Sequence, residues 1–175
     1  MDTPQYDVAV VGAGTAGIAA AIGLAAEGIR CVVVDDDKPG GQIQQTSCVE
    51  NIFGLPVGGI SGADLINNSV ANAEHFGTTF INPFHVFKIL RNEGGAFTLT
   101  AMSGENIVAK AVVLALGASS RRLDIKGVDA LIGNGIVYGT PDYRNPKAWE
   151  SKRVGVLGGG NSSGQASVFL AEQAC

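Results

Sequence analysis

The sequence is poor in charge and in cysteine, and it has no long apolar run. Charged residues make up only 16 % of its 175 residues and hydrophobic ones 46 %. A sizeable buried core is therefore expected, and the composition is not that of a disordered chain. Twelve basic residues face sixteen acidic ones, for a net charge of −4, so the basic footprint of a nucleic-acid binder is missing. No apolar stretch reaches the ~18 residues of a membrane span, and Met1–Asp7 has no signal-peptide pattern. A cytoplasmic protein that engages neither membrane nor nucleic acid is expected. The three cysteines, Cys31, Cys48 and Cys175, are odd in number, widely spaced and form no CxxC. They support neither a disulfide framework nor a zinc site, and no metal ligands are expected.

Glycine is what the sequence has in abundance, 25 residues clustered between apolar runs without a three-residue period, which reads as turns. Asp7–Val11 is a short β-branched run suited to a strand buried on both faces. Gly12–Gly17 follows it, then an alanine-rich helix over Ile18–Glu27 closed by Gly28, then a second buried strand over Cys31–Val34. Asp36–Pro56 is a long connection rich in Gly, Gln, Ser and Pro, and loops of that length in a compact domain are usually functional. Ser61–Phe76 reads as a helix with Ser61 as N-cap and Asp64 at N3. Thr78–Ile81, Val86–Leu90, Phe97–Met102, Ile107–Ala109 and Ala111–Leu116 read as strands, part of them an antiparallel meander. Arg153–Leu157 is expected to open a second strand–turn–helix unit, with Gly158–Gly160 as its turn and a helix from about Ser162. The opening unit thus recurs near the C-terminus.

Gly12-Ala13-Gly14-Thr15-Ala16-Gly17 is a GxGxxG between strand and helix. Gly12 permits the tight turn, Gly14 lets backbone approach a pyrophosphate, and Gly17 lets the helix pack close. The diphosphate then meets the positive helix N-terminus. Asp35 ends the next strand, where a carboxylate accepts hydrogen bonds from ribose hydroxyls. Gly158-Gly-Gly160-Asn161-Ser162-Ser163 is a second such turn, with the small Ser163 at its third position. Two turns suggest two nucleotides, which fits hydride transfer between a nicotinamide and a flavin.

GAGTAG (12–17), PGGQ (39–42), VEN (49–51), the strand leading to ALGAS (115–119), and GGGNSSGQA (158–166) together resemble the low-molecular-weight thioredoxin reductases and their relatives among flavoproteins with two dinucleotide motifs. The resemblance runs from about Tyr6 to the last residue. It implies an α/β, three-layer Rossmann-like fold with a parallel sheet and an antiparallel β-meander. It also implies FAD at the first motif and NADPH or NADH at the second. Residue by residue, it places Gly12, Ala13, Gly14, Thr15, Ala16 and Gly17 on the FAD diphosphate and Asp35 and Asp36 by its ribose. Gly40, Gly41 and Gln42 would contact the flavin beside Asn51, and the backbone of His85–Val86 would read the adenine. Ala115–Leu116–Gly117 matches the family's ATG turn, with Leu116 in place of threonine and the backbone role kept. Gly158, Gly160, Asn161, Ser162 and Ser163 would hold the nicotinamide nucleotide.

Two departures from the family bear on activity. Where thioredoxin reductases carry a CxxC dithiol, this sequence reads Tyr138-Gly-Thr-Pro141-Asp142. A thiolate must attack a disulfide for dithiol exchange, so reduction of thioredoxin by that route is excluded. The family's nicotinamide domain also continues well past residue 175, as does the returning segment that completes its FAD domain. The expectation is an FAD domain over 1–117, a connector over 118–152, and the start of a nicotinamide domain over 153–175, all belonging to a longer parent. In that parent NAD(P)H would reduce the flavin, and electrons would pass to an unidentified small-molecule or protein acceptor. The alternative is a non-catalytic FAD-binding module or a truncated fragment. In the family the dimer forms through the FAD domain, which makes a homodimer an expectation here.

No side chain is assigned a covalent catalytic role. Cys48 lies near the expected flavin loop but lacks a basic neighbour. Cys31 reads as core. His75 and His85 have no carboxylate partner at recognisable spacing. Consecutive carboxylates Asp35–Asp37 point in different directions at a strand end, so solvation is expected for those not on the ribose. Arg121 and Arg122 read as solvated linker charges.

Overall fold

A computed structural model describes residues 5–46, 48–119, 121–139 and 145–173. Strand β1 (Tyr6–Val11) leads into helix α1 (Thr15–Ala26) and strand β2 (Cys31–Val34). All four residues of β2 are buried, as its unbroken apolar sequence requires of a strand covered on both faces. Gly28, at φ +74°, closes α1 and turns the chain back into β2. A 3₁₀ turn, Gly41–Gln45, interrupts the long connection. Helix α2 (Gly62–His75) then starts at Ser61, whose Oγ accepts from the Asp64 amide at 3.0 Å, the cap expected from the sequence. After it come β3 (Thr79–Ile81), β4 (Val86–Arg91), β5 (Phe97–Ala101) and β6 (Asn106–Leu114).

The six strands form one mixed sheet in the order β3-β2-β1-β6-β5-β4. The first four are parallel, and β6-β5-β4 is the antiparallel meander. Side chains alternate across β1 and β2. Val10, Cys31 and Val33 pack with Ala13 and Ala21 on the α1 side. Ala9, Val11, Val32 and Val34 face the other way, onto Phe84, Leu99, Ala101, Ile107 and Ala109 of the meander and its approach. A third cluster, Ile18, Ile66 and Ala73, joins α1 to α2. Burying each such Val, Ile or Leu is worth about 1.5–3 kcal/mol, so these faces hold the layers together.

Two expectations are corrected. Ile107–Ala109 and Ala111–Leu116 are not separate strands, because β6 runs through Lys110 to Leu114. Ala109 pairs with both Phe97 of β5 and Tyr6 of β1, so β6 serves the meander with its first half and the parallel sheet with its second. Lys110 is exposed and sends its ammonium to Asp7 at 2.7 Å; a charge on the open side of a strand does not end it. Arg153–Leu157 forms no strand. Its residues are all exposed, and among the described residues no neighbour offers it a hydrogen-bonding ladder. Beyond the sheet lie α3 (Val128–Leu131), a 3₁₀ turn at Pro146–Trp149, and α4 (Asn161–Gln173), which buries Ala166 and Leu170 and contacts that turn. Cys175 and Thr140–Asp142 of the stretch aligned with the family dithiol lie outside the described residues.

Candidate functional site

Parallel register brings three chain segments to one edge of the sheet. Val11 stands opposite both Val34 of β2 and Leu114 of β6, so Gly12, Asp35 and Ala115 leave their strands side by side. Gly12 donates its amide to the Val34 carbonyl at 2.8 Å, and Ala115 donates to the Val11 carbonyl at 2.8 Å. Gly12 lies at φ +105°, and a side chain there would run into the Ala115 carbonyl. Gly17 is equally constrained, since a Cβ would strike the Gly12 carbonyl and stand 3.3 Å from Val10 Cγ1. Only glycine lets α1 approach the strand this closely.

Gly14 differs from both. Nothing lies within 4 Å of where its Cβ would be. It is also the N-cap of α1, with no side chain capping the helix and no acidic residue in the first turn. The amides of Thr15 and Ala16 follow at a helix end that is open, exposed and favourable to an anion. The residues present therefore fit a diphosphate, with an inner side closed by Gly12 and Gly17 and an outer side open at Gly14.

The PGGQ loop folds onto this turn. Gly40 donates its amide to the Ala13 carbonyl at 2.8 Å. A Cβ on Gly41 would lie 3.3 Å from the Gly14 Cα, so the two loops meet glycine to glycine. The Gln42 side-chain Nε2 donates to the Ala118 carbonyl, and the Gln44 Nε2 to that of Pro39. The motifs at 12–17, 39–42 and 115–118 thus form one surface. Gly117, at φ +71°, turns the chain away beyond β6.

Asp35 is half-buried and turns inward. Its carboxylate accepts from the Ala13 amide at 2.5 Å and from the Asp37 amide at 3.1 Å. An ionised carboxylate has about four acceptor positions, which leaves capacity for ribose hydroxyls. Asp36 is not merely solvated: its Oδ2 lies 2.8 Å from His85 Nδ1, within ion-pair distance. His85 therefore does have a carboxylate partner, brought to it by the pairing of β2 with β3 and not by sequence spacing. Val86, half-buried, begins β4 opposite Ala101. Asn51 is exposed in the loop closed by the Val49–Ile60 bridge, and no hydrogen bond among the described residues joins it to the glycine cluster. The Ala118 carbonyl escaped the sequence reading because a backbone acceptor leaves no signature there.

At the second motif, Gly158 has φ +150° and a side chain on it would meet Ser163 Oγ, while Gly159 and Gly160 are open. Asn161, Ser162 and Ser163 open α4, whose first turn carries no acid. Among the described residues, no strand pairing brings this turn to the first one. Cys48 is exposed, with Sγ 3.3 Å from the Gly58 carbonyl. Cys31 is buried in β2, and burial pushes its thiol up to about 11. Among the described residues no cluster of three or more His, Cys, Asp or Glu could hold a metal ion, and no helix is long and apolar enough to cross a membrane.

A parallel sheet extended by a meander, with glycine turns at the carboxyl ends of its strands, defines a Rossmann-like α/β unit of the kind that receives nucleotides. The chain belongs to the pyridine nucleotide-disulphide oxidoreductase family, which it matches over residues 6–175. It is 34% identical over 172 residues to a 34.2 kDa protein in the rubredoxin operon of Clostridium pasteurianum, covering 97% of this chain and 53% of that protein. It is 33% identical over 166 residues to a Staphylococcus aureus alkyl hydroperoxide reductase subunit, covering 95% of this chain and 32% of the relative. Thioredoxin reductase from T. acidophilum superposes with a TM-score of 0.81 at 27% identity, over 95% of this chain and 53% of that one. The Lactococcus lactis thioredoxin reductase, at 24% identity and a TM-score of 0.84 over 96% and 53% of the two chains, shares the fold. The chain spans about half the length of the first of these relatives.

Proposed function

We propose that this chain binds FAD at the sheet edge formed by Gly12–Gly17, Asp35, Gly40–Gln42 and Ala115–Gly117, as part of an NAD(P)H-dependent flavin oxidoreductase. The observation that carries the reading is the convergence of the segments at 12–17, 39–42 and 115–118 on one surface, with an open helix N-terminus at Gly14. In this reading the amides of Gly14, Thr15 and Ala16 hold the diphosphate, while Asp35, which already accepts from the Ala13 amide, takes a ribose hydroxyl. Gly40, Gly41 and Gln42, together with Asn51, flank the flavin side, and Val86 lies toward the adenine. Flavin, once bound, supplies the hydride acceptor and electron carrier. The chain's own residues bind, orient and screen it, and none acts covalently.

Gly158, Gly160 and Asn161–Ser163 are proposed to receive NADPH or NADH in the full-length protein. Residues 1–117 are proposed as the FAD unit, 118–152 as the connector and 153–175 as the beginning of the nicotinamide unit. The terminal acceptor is proposed to be something other than an internal dithiol, since no CxxC occurs in the 175 residues. A second reading, a flavin-binding unit without turnover of its own, is favoured by one observation: residues 153–157 form no strand to carry the second turn. The purified chain is to be mixed with FAD and passed through gel filtration while the visible spectrum is recorded. Flavin bands that travel with the protein are expected. A colourless protein peak would overturn the FAD reading, and bound flavin that NADPH and NADH both fail to reduce would select the second one.

A further inference from the structure

The proposed FAD site leaves one polar pair unused. Asp36 Oδ2 and His85 Nδ1 lie 2.8 Å apart, and both side chains are more than half exposed. The backbone around them is already held. Phe84 is buried in the core, and its amide donates to the Asp35 carbonyl at 2.7 Å. The Asp35 amide reaches the Ile81 carbonyl at 3.4 Å, and the His85 carbonyl accepts from the Met102 amide at 2.9 Å. The chain leaving β3 is thus stitched to the chain leaving β2. The side-chain tie across the two exits is the one from His85 to Asp36. In a nucleotide fold the ribose lies at the end of β2 and the base lies outward from it, beyond the diphosphate turn. The two exits therefore form the wall that the adenosine half of a dinucleotide would meet.

We propose that His85 and Asp36 are positioning residues, a clasp that preforms this wall for the adenosine end of the cofactor. The inference rests on the FAD reading above. Holding the wall in its bound shape before the ligand arrives reduces the ordering cost of binding. The effect is bounded by what an exposed pair can supply, roughly fivefold in affinity.

The test is a double-mutant cycle on the full chain with His85→Ala, Asp36→Asn and the pair combined, titrated with FAD and separately with ADP. Each single substitution is expected to weaken FAD about three- to fivefold. The same loss is expected for ADP, which carries only the adenosine diphosphate half, and the double variant should be no weaker than either single one. Thermal midpoints should match the unsubstituted chain, since both side chains are exposed. FAD affinity unchanged in both single variants, losses that add in the double, or a loss for FAD without one for ADP would each overturn the clasp. An unsubstituted chain that binds neither ligand would instead overturn the FAD reading, and the clasp with it.

Discussion

At Gly12 the backbone sits at φ +105° and a side chain would meet the Ala115 carbonyl; at Gly14 the backbone is ordinary and a side chain would meet nothing. The two residues separate folding from binding. Gly12→Ala introduces strain at a position that L residues rarely occupy, at a cost of about 1–3 kcal/mol. The thermal midpoint is expected to fall by roughly 2–10 °C. Gly14→Val meets no steric obstacle and loses only the N-cap preference of glycine over valine, about 1 kcal/mol, so it is expected to lower the midpoint by no more than about 4 °C. Its branched side chain would stand where a diphosphate must approach, so FAD affinity should drop at least about tenfold. Scanning fluorimetry and flavin titration on the two variants check both outcomes. A Gly14→Val chain that bound FAD normally would remove the diphosphate from this turn.

Element by element, the strands that flank β1 are tied to it by charge as well as by ladders. Asp7 of β1 meets Lys110 of β6 at 2.7 Å and Arg30, just before β2, at 3.1 Å. The Lys110 ammonium first, and then Arg30, hold the Asp7 carboxyl well below its ordinary value of 3.8. A carboxyl lowered in the folded state stabilises the fold above its unfolded pKa, and that contribution is lost as the pH falls below it. The advantage of the unsubstituted chain over Asp7→Asn in urea midpoint is therefore expected to be full at pH 7 and to shrink progressively from about pH 4 to pH 2. It should be small and reduced by salt, because the Lys110 and Arg30 side chains are open to water. An advantage that stayed constant down to pH 2 would show that the ion pairs do not act this way. The elements themselves were largely legible beforehand. Short β-branched runs bounded by glycine marked β1 and β2, and Ser61 with Asp64 marked the start of α2, because strand propensity and capping are local properties. Lys110 misled for the same reason: a local polar signal says nothing of the partner that accommodates it.

For the whole molecule, the sheet and α1–α2 bury the three apolar clusters, while residues 121–127 and 151–160 are exposed throughout. Backbone held in a ladder resists proteases better than exposed connecting chain. Limited trypsin digestion is therefore expected to cut first at Arg121, Arg122, Lys152 or Arg153 and to spare Lys88, Arg91 and Lys110 in the meander and β6. Mass spectrometry of the surviving piece should show a product ending near residue 121. That product tests the proposed division at 117; first cuts within β4–β6 would contradict it. The apolar residues at Val154, Val156 and Leu157, exposed by 38%, 40% and 77%, show why the second unit reads as a strand in sequence yet is none here. An apolar β-branched run needs a neighbouring strand to donate and accept its backbone hydrogen bonds.

By itself the sequence determined the family, the strand–turn–helix opening, the glycine turns and the cap of α2, because each depends on residues within a few positions of one another. Only the tertiary structure decided which of these meet. The register of β1 against β2 and β6 sets Gly12, Asp35 and Ala115 on one edge, and the parallel placement of β3 beside β2 carries His85 to Asp36. Gln42 reaches Ala118 through the fold of a loop. Contacts of this kind are set by strand pairing and chain closure, and neither spacing nor residue type encodes them locally.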